Sequence, residues 1–289
     1  MFDNIINMFS LSLAFTLIGL HVYLSNRVLN IIDFTCDASV TLGGCTYGIL
    51  VLYGVNPLIA LLISMCLGMT AGFITSSFIV NINIEPVLAS IITLTAIQTF
   101  ILKLSSLEKI IDKKEEIKSV LSTLSAVDNS IITLAIVFVF CILFLKILNS
   151  EYGLAMRVYS NGKILSESLG INTNQMLSIG LGLGNALSAV AGALIVQISG
   201  TFNAGIGSGA LVFGLAAVIL GERMVSFSTI RGSVLGCFLG AFLYKAAIET
   251  ATFGGLDKLG SEYDGIIMAL VLIFLMALVQ DNKKRATKY

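Results

Sequence analysis

Residues 57–80 read PLIALLISMCLGMTAGFITSSFIV and contain no charged side chain. As an α-helix such a run is about 36 Å long, more than the roughly 30 Å of a bilayer's hydrocarbon core. A helix that is apolar on all sides has no surface to offer water. In lipid it needs none, because its backbone groups bond within the helix. Runs of the same kind lie at approximately 5–24, 85–104, 130–148, 175–198, 229–250 and 263–280. Two weaker runs, 36–53 and 209–221, are interrupted by small and polar residues and are expected to be broken, short or re-entrant. The first run has neither a basic stretch before it nor a small-residue cleavage site, so it reads as a retained span. The expectation is an all-α polytopic transmembrane bundle of about 8–9 membrane segments, a single domain over 1–289.

Composition agrees. The chain is 56% hydrophobic and 12% charged, against about 25% charged for a soluble domain. A net charge of zero gives no electrostatic footing for nucleic acid. The lipid bilayer is the expected surrounding. Cys36, Cys45, Cys66, Cys141 and Cys237 include no C-x-x-C pair, and His21 is the only histidine. A zinc site therefore lacks ligands. His21 stands alone at the inner end of the first span and reads as a satisfied or interfacial residue.

No G-x-x-x-x-G-K-[ST] occurs, so the chain has no loop to cradle nucleotide phosphates. Gly180, Gly182 and Gly184, like Gly205, Gly207 and Gly209, sit in or beside apolar runs, where helix packing or a broken helix explains them better. No catalytic residue, metal site or bound cofactor is expected of this chain.

Basic residues favour one orientation. With the C-terminus inside, Arg27, Arg157, Lys163, Arg223, Arg231 and the tail at 281–289 all lie on the cytoplasmic side. The segment 105–128 is then outside although it carries four lysines. Ile110, Ile117, Leu121 and Leu124 fall on one helical face there, so 107–124 reads as an amphipathic surface helix. On the inner side, the loop 151–174 holds a short helix from Lys163 to Leu169 between Gly162 and Gly170. Ile164, Leu165 and Leu169 lie on one side of it and Glu167 on another, a suitable handle for a cytoplasmic partner.

Polar groups inside a membrane point to function, since a carboxylate at the bilayer centre costs about 2.5–3.5 kcal/mol on insertion scales. Asp33 reads as interfacial. Asp37 lies deeper, and two roles stay open: a pathway or broken-helix hinge, or the N-cap of its own helix. Ser39 and Thr41 follow it in a small-residue run. In the second half, Gln197, Asn203, Gly205 and Gly207 belong to another interrupted segment. The pair 33–48 and 197–214 is the best pointer to a translocation pathway. Lys245 and Glu249, four apart near an outer helix end, read as a structural ion pair. Tyr47, Tyr53, Phe202 and Phe213 read as packing or lipid-facing aromatics before path-lining ones.

Several strings, in order, carry a family resemblance. They are Arg27-Val28-Leu29-Asn30 through Asp37 to Leu42-Gly43, then Ile84 to Leu88 with Ile91-Ile92-Thr93-Leu94-Thr95-Ala96. Next come Gly153-Leu154-Ala155-Met156-Arg157 with Leu169-Gly170-Ile171-Asn172-Thr173, and Gly205-Ile206-Gly207 with Gly214 through Glu222. The chain resembles permeases of bacterial ABC importers of the branched-chain-amino-acid/ribose type, closest to the tryptophan/tyrosine-type branch.

The resemblance implies a permease of the bacterial inner membrane that works as one of two halves, by default a homodimer. Two cytoplasmic ABC ATPase subunits would hold the ATP and magnesium, and an external solute-binding protein would deliver a small solute, aromatic or other amino acids among the candidates. It makes 157–170 the ATPase-coupling segment, with Arg157, Asn161, Lys163, Ile164, Leu165, Glu167, Leu169 and Gly170 as its residues. The sequence departs from the family at Ser160-Asn161-Gly162-Lys163 and Ser166, where a glycine, an Asn-Pro step and a small residue are usual. The alternative reading is a stand-alone secondary transporter driven by an ion gradient, for which Asp37 would be the coupling carboxylate.

Overall fold

The structure is a computed structural model that describes residues 2–108, 126–160, 162–225 and 229–253. Helix α1 (Phe2–Val22) continues into a π-helical stretch, Tyr23–Val28. After a non-helical joint at 29–34 come α2 (Thr35–Leu52), α3 (Pro57–Asn81) and α4 (Pro86–Glu108). Helix α5 (Ala126–Asn149) leads into the short α6 (Glu151–Ser160) and α7 (Lys163–Ser168). Then follow α8 (Thr173–Ser199), α9 (Ala210–Met224) and α10 (Ile230–Phe253). Among the described residues every regular element is helical, and seven helices are long and apolar enough to cross a membrane. The run at 263–280, the tail at 281–289 and the surface helix expected at 107–124, apart from its first two residues, lie outside the described residues.

Local chemistry explains the boundaries. Asn56 caps α3 by accepting the Leu58 N–H (2.9 Å), with Pro57 at the first helical position where its missing N–H is harmless. Asn172 caps α8 in the same way, accepting from Gln175 N–H (3.2 Å). Pro86 opens α4, with Glu85 just before it.

The weak run at 36–53 is unbroken. Helix α2 is continuous from Thr35 to Leu52, and its small and polar residues serve packing. A side-chain carbon added at Gly43 would meet the Ala189 backbone of α8, and one added at Gly192 would meet the Val40 carbonyl of α2. Without a hydrophobic force between helices in lipid, such close backbone approach is what holds them together. The run at 209–221 is short, as expected. Helix α9 has 15 residues and rises only about 22 Å. Residues 200–209 bring the chain back into the bundle to reach it.

Helix α8 is the centre, packed by α1, α2 and α3 and almost wholly buried. Helices α9 and α10 form a close antiparallel pair against α1. Helices α4 and α5 flank the bundle and present apolar side chains such as Phe100, Phe138 and Val139 outward, as lipid-facing helices do. Helices α6 and α7 lie at the end of the bundle where α5 stops and α8 begins.

Candidate functional site

Two features inside the bundle hold polar groups at depth, and a third sits at the α6–α7 end. The second break, 200–209, starts at Gly200 and ends at Gly209, whose φ angles of 64° and 80° are left-handed and suit glycine. Asp37 spans the gap. Its carboxylate accepts the Gly209 N–H (3.0 Å) and the Leu211 N–H (2.7 Å), groups that the start of α9 would otherwise leave unpaired. Asp37 caps a helix, though not its own: it caps α9 from the first turn of α2. Gly207 lies flush on that same turn, where any side chain would strike the Asp37 carbonyl and the Thr41 hydroxyl. Asp37, Thr41 and Gly207 are therefore together. Gln197 is buried near the end of α8, while Asn203 and Gly205 are exposed and bonded to each other, Gly205 N–H to Asn203 Oδ1 (3.0 Å).

The first break carries a group of residues that the sequence reading kept apart. Asp33 is not interfacial but buried, and His21 is not alone. Asp33 Oδ1 accepts the Thr35 N–H (2.9 Å) and caps α2. Its Oδ2 accepts from Asn185 Nδ2 (2.7 Å) and lies 3.3 Å from His21 Nε2, close but outside hydrogen-bond alignment. His21 Nδ1 is 2.6 Å from Ser188 Oγ, and Ser39 donates to Asn185 Oδ1 (2.7 Å). Ser39 thus joins this cluster and not the Asp37 group. Ser188, His21 and Asp33 stand in the order of a hydrolytic triad, yet all three are buried. The cluster ties α1, α2 and α8 together.

At the α6–α7 end, Ile164, Leu165 and Leu169 are 86%, 50% and 63% exposed. Gly162 precedes α7 and Gly170 (φ 76°) follows it. Behind them Ser166 is buried and donates to the Gly162 carbonyl (3.0 Å). Arg157 turns inward, with Nε on the Gly153 carbonyl (3.2 Å) and NH2 on the Leu148 carbonyl (3.0 Å) at the end of α5. Glu167 accepts from Thr173 Oγ1 (3.4 Å). Arg157 braces the α5–α6 junction, while Ile164, Leu165 and Leu169 face out. Asn161 and the Lys163 side chain lie outside the described residues.

Residues 4–276 match the family described as "Branched-chain amino acid transport system / permease component". The chain belongs to that family. A relative permease, the tyrosine transport system permease protein of Clostridioides difficile (strain R20291), is 26% identical over 277 residues, which is 95% of this chain and 91% of the relative. The branched-chain amino acid permease BraD of Pseudomonas aeruginosa is 29% identical over 161 residues, covering 52% of this chain and 48% of its own. The solved structure titled "PsaBC from Streptococcus pneumoniae in complex with Fab" shares the fold, with a TM-score of 0.51, 13% identity, and coverage of 94% of this chain and 89% of that one. As a permease of this family, the chain is a multi-pass protein of the bacterial inner membrane and a transport component. Its long helices and the short α6–α7 pair are the parts of that permease.

Proposed function

We propose that this permease is the membrane-spanning subunit of an ATP-driven ABC importer for an amino acid. The observation that carries the reading is α7. It is a six-residue helix, held by Ser166 to the Gly162 carbonyl and by Glu167 to Thr173, that turns Ile164 and Leu165, and Leu169 at its end, outward. Three large apolar side chains exposed on a short helix at a bundle end need a protein cover, because water gains nothing from them. A cytoplasmic ATPase groove supplies that cover, and movement of the ATPase pair would tilt α7 and the α5 and α8 ends attached to it. ATP and magnesium belong to that partner. Two permease copies and two ATPases complete the assembly, with an external binding protein delivering the solute.

The solute passes beside 200–209, because irregular backbone at membrane depth either is sealed in protein or lines a path. The names of the relatives, a tyrosine permease and a branched-chain amino acid permease, make an amino acid the favoured substrate class. Co-purification from the native membrane tests the coupling. A tagged chain should bring down an ATPase bearing a Walker motif, and Leu165→Asp with Leu169→Asp should release it while the permease stays monodisperse. A permease that purifies free of any ATPase and still transports would contradict the reading.

A further inference from the structure

A cavity of about 190 Å³ lies between α3 and α5, against α8. Helix α3 packs along α8 and α5 packs on α1, and the two barely touch each other. Every side chain that lines the space between them is apolar. Water does not suit it, because a bound water needs roughly two to four polar partners. Nor does emptiness, since the walls then lose their dispersion contacts. Apolar cavities of about 150 Å³ take up guests as large as benzene. This one has room for a stretch of hydrocarbon chain.

The surroundings show where such a chain would enter. The inner wall is buried, with Leu24, Phe144 and Leu148 facing Leu187 of α8. The rim is not: Leu143 is 46% exposed, and Met65 and Met69 are half-buried. Leu62, Ile63 and Ile142 beside them are exposed apolar residues of the same two helices. The rim is therefore continuous with the lipid-facing surface. Two methionines, unbranched and adaptable, suit a guest of no fixed shape.

The floor of the cavity is at the α6–α7 end. Leu148 is the last residue but one of α5. Its carbonyl accepts from Arg157 NH2 (3.0 Å), and a side chain added at Gly153 would strike its backbone. Phe144, one turn earlier, meets Tyr23 edge-on with centroids 6.4 Å apart. Lys146 lies in the last turn of α5, exposed and in no ion pair among the described residues. A helix of 24 residues is about 36 Å long, so its last turn stands at the membrane interface. Lys146 follows Leu143 by three residues and is its neighbour on the helix surface. A lysine so placed lays its stem along apolar surface and keeps its ammonium among the headgroups. An apolar slot between spans with a cation at its polar end suits an anionic phospholipid.

We infer that an anionic phospholipid from the leaflet at the α6–α7 end binds here, with one acyl chain in the cavity between α3 and α5 and its phosphate on Lys146. The chain takes the place of the missing α3–α5 contact and supports the α5–α6 junction from behind. The site is separate from the exposed face of α7 and does not depend on an ATPase.

The test is photolabelling of the permease, purified from its native membrane with whatever partners accompany it and placed in phosphatidylcholine vesicles. The probe is a phosphatidylglycerol with a diazirine within one acyl chain. Adducts should concentrate on Met65, Met69 and residues 140–148. Leu143→Trp, at the exposed rim, should block entry and remove them, while labelling of outward residues of α4 such as Phe100 persists. Lys146→Gln should lower labelling by this probe, relative to a matching phosphatidylcholine probe, by about fivefold, the scale for one lysine near an anionic surface. Labelling spread evenly over the exposed apolar residues of α3, α4 and α5, and unchanged by Leu143→Trp, would overturn the inference, because ordinary contact with the bilayer gives that pattern. Absence of adducts in the cavity would also overturn it, and is expected if a further span or a second permease copy covers the rim. Equal labelling of the parent by the two probes would overturn it as well. If Leu143→Trp does not assemble, competition on the parent decides. Excess unlabelled phosphatidylglycerol should suppress the cavity adducts and excess phosphatidylcholine should not; equal suppression overturns the inference.

Discussion

Between α1 and α2, residues 29–34 leave the helix with Leu29 and Asp33 buried and Asn30 and Ile32 exposed, whereas between α8 and α9, residues 200–209 leave it with Gly200, Phe202 and Gly207 buried and Asn203, Gly205 and Ser208 exposed. Both breaks put irregular backbone inside a bundle where water is scarce, and there are two ways to make that tolerable. The first break is sealed on the side that Asp33 faces. Asp33 takes the Thr35 N–H and the Asn185 amide and abuts His21, and Ser188 and Ser39 complete the set. The second is satisfied from one side only, by its own turns and by Asp37, and its other side borders a cavity. The sealed break is a joint that fixes three helices. In the proposed function, the open one is the place beside which the solute passes.

The contrast is broken most forcefully at Asp33. Asp33→Ala leaves His21 and Asn185 buried without their acid and α2 without its cap. We expect a loss of about 3–5 kcal/mol, the scale for removing one partner of a buried charged group. Thermal unfolding of the purified protein should show a Tm far below that of the parent, and a parent-like Tm would mean the cluster is not a joint. Gly207→Leu drives a side chain into the first turn of α2. It should destabilise by about 1–3 kcal/mol and depress uptake more than stability, since it forces the open break apart. Equal damage to both would place 200–209 with the sealed joint.

Asp37→Ala removes two N–H acceptors from α9 and should lower stability by about 1–2 kcal/mol, with Asp37→Asn milder because one carbonyl oxygen remains. A neutral result in the same unfolding assay would deny Asp37 its capping role. The smallest effect belongs to Arg27→Ala. Its 2.6 Å pair with Glu222 ties the first break's helix to the end of α9, but Arg27 is half exposed. A change below about 1 kcal/mol is expected, and a larger one would show that the two breaks are coupled through this contact.

Much of the architecture was legible in the sequence because a membrane helix announces itself by length and apolarity. The runs near α1, α3, α4, α5, α8 and α10 fall within a few residues of the observed helices. Helix α2 read as weak because its Gly, Ser and Thr residues lower hydropathy, and yet those are the residues that let α8 approach. The outward apolar face of α7 between Gly162 and Gly170 was legible too, since it depends on neighbours in the chain.

The polar clusters were not legible, for a common physical reason. Asn185 lies 152 residues from Asp33, and Gly209 lies 172 residues from Asp37. Periodicity speaks only for residues on one helix, and no local pattern says which distant amide will meet a carboxylate. An unexplained carboxylate near a span was the available signal. It singled out Asp37 but passed over Asp33, whose position just before α2 looked interfacial.

The most direct test of the central claim is solute accumulation in proteoliposomes that contain this permease with its co-purified ATPase. Internal ATP, without any ion gradient, should drive uptake of L-tyrosine or L-leucine, and omission of the ATPase should abolish it. Accumulation by the permease alone under a proton or sodium gradient, with ATP making no difference, would contradict the account and return the chain to the secondary transporters.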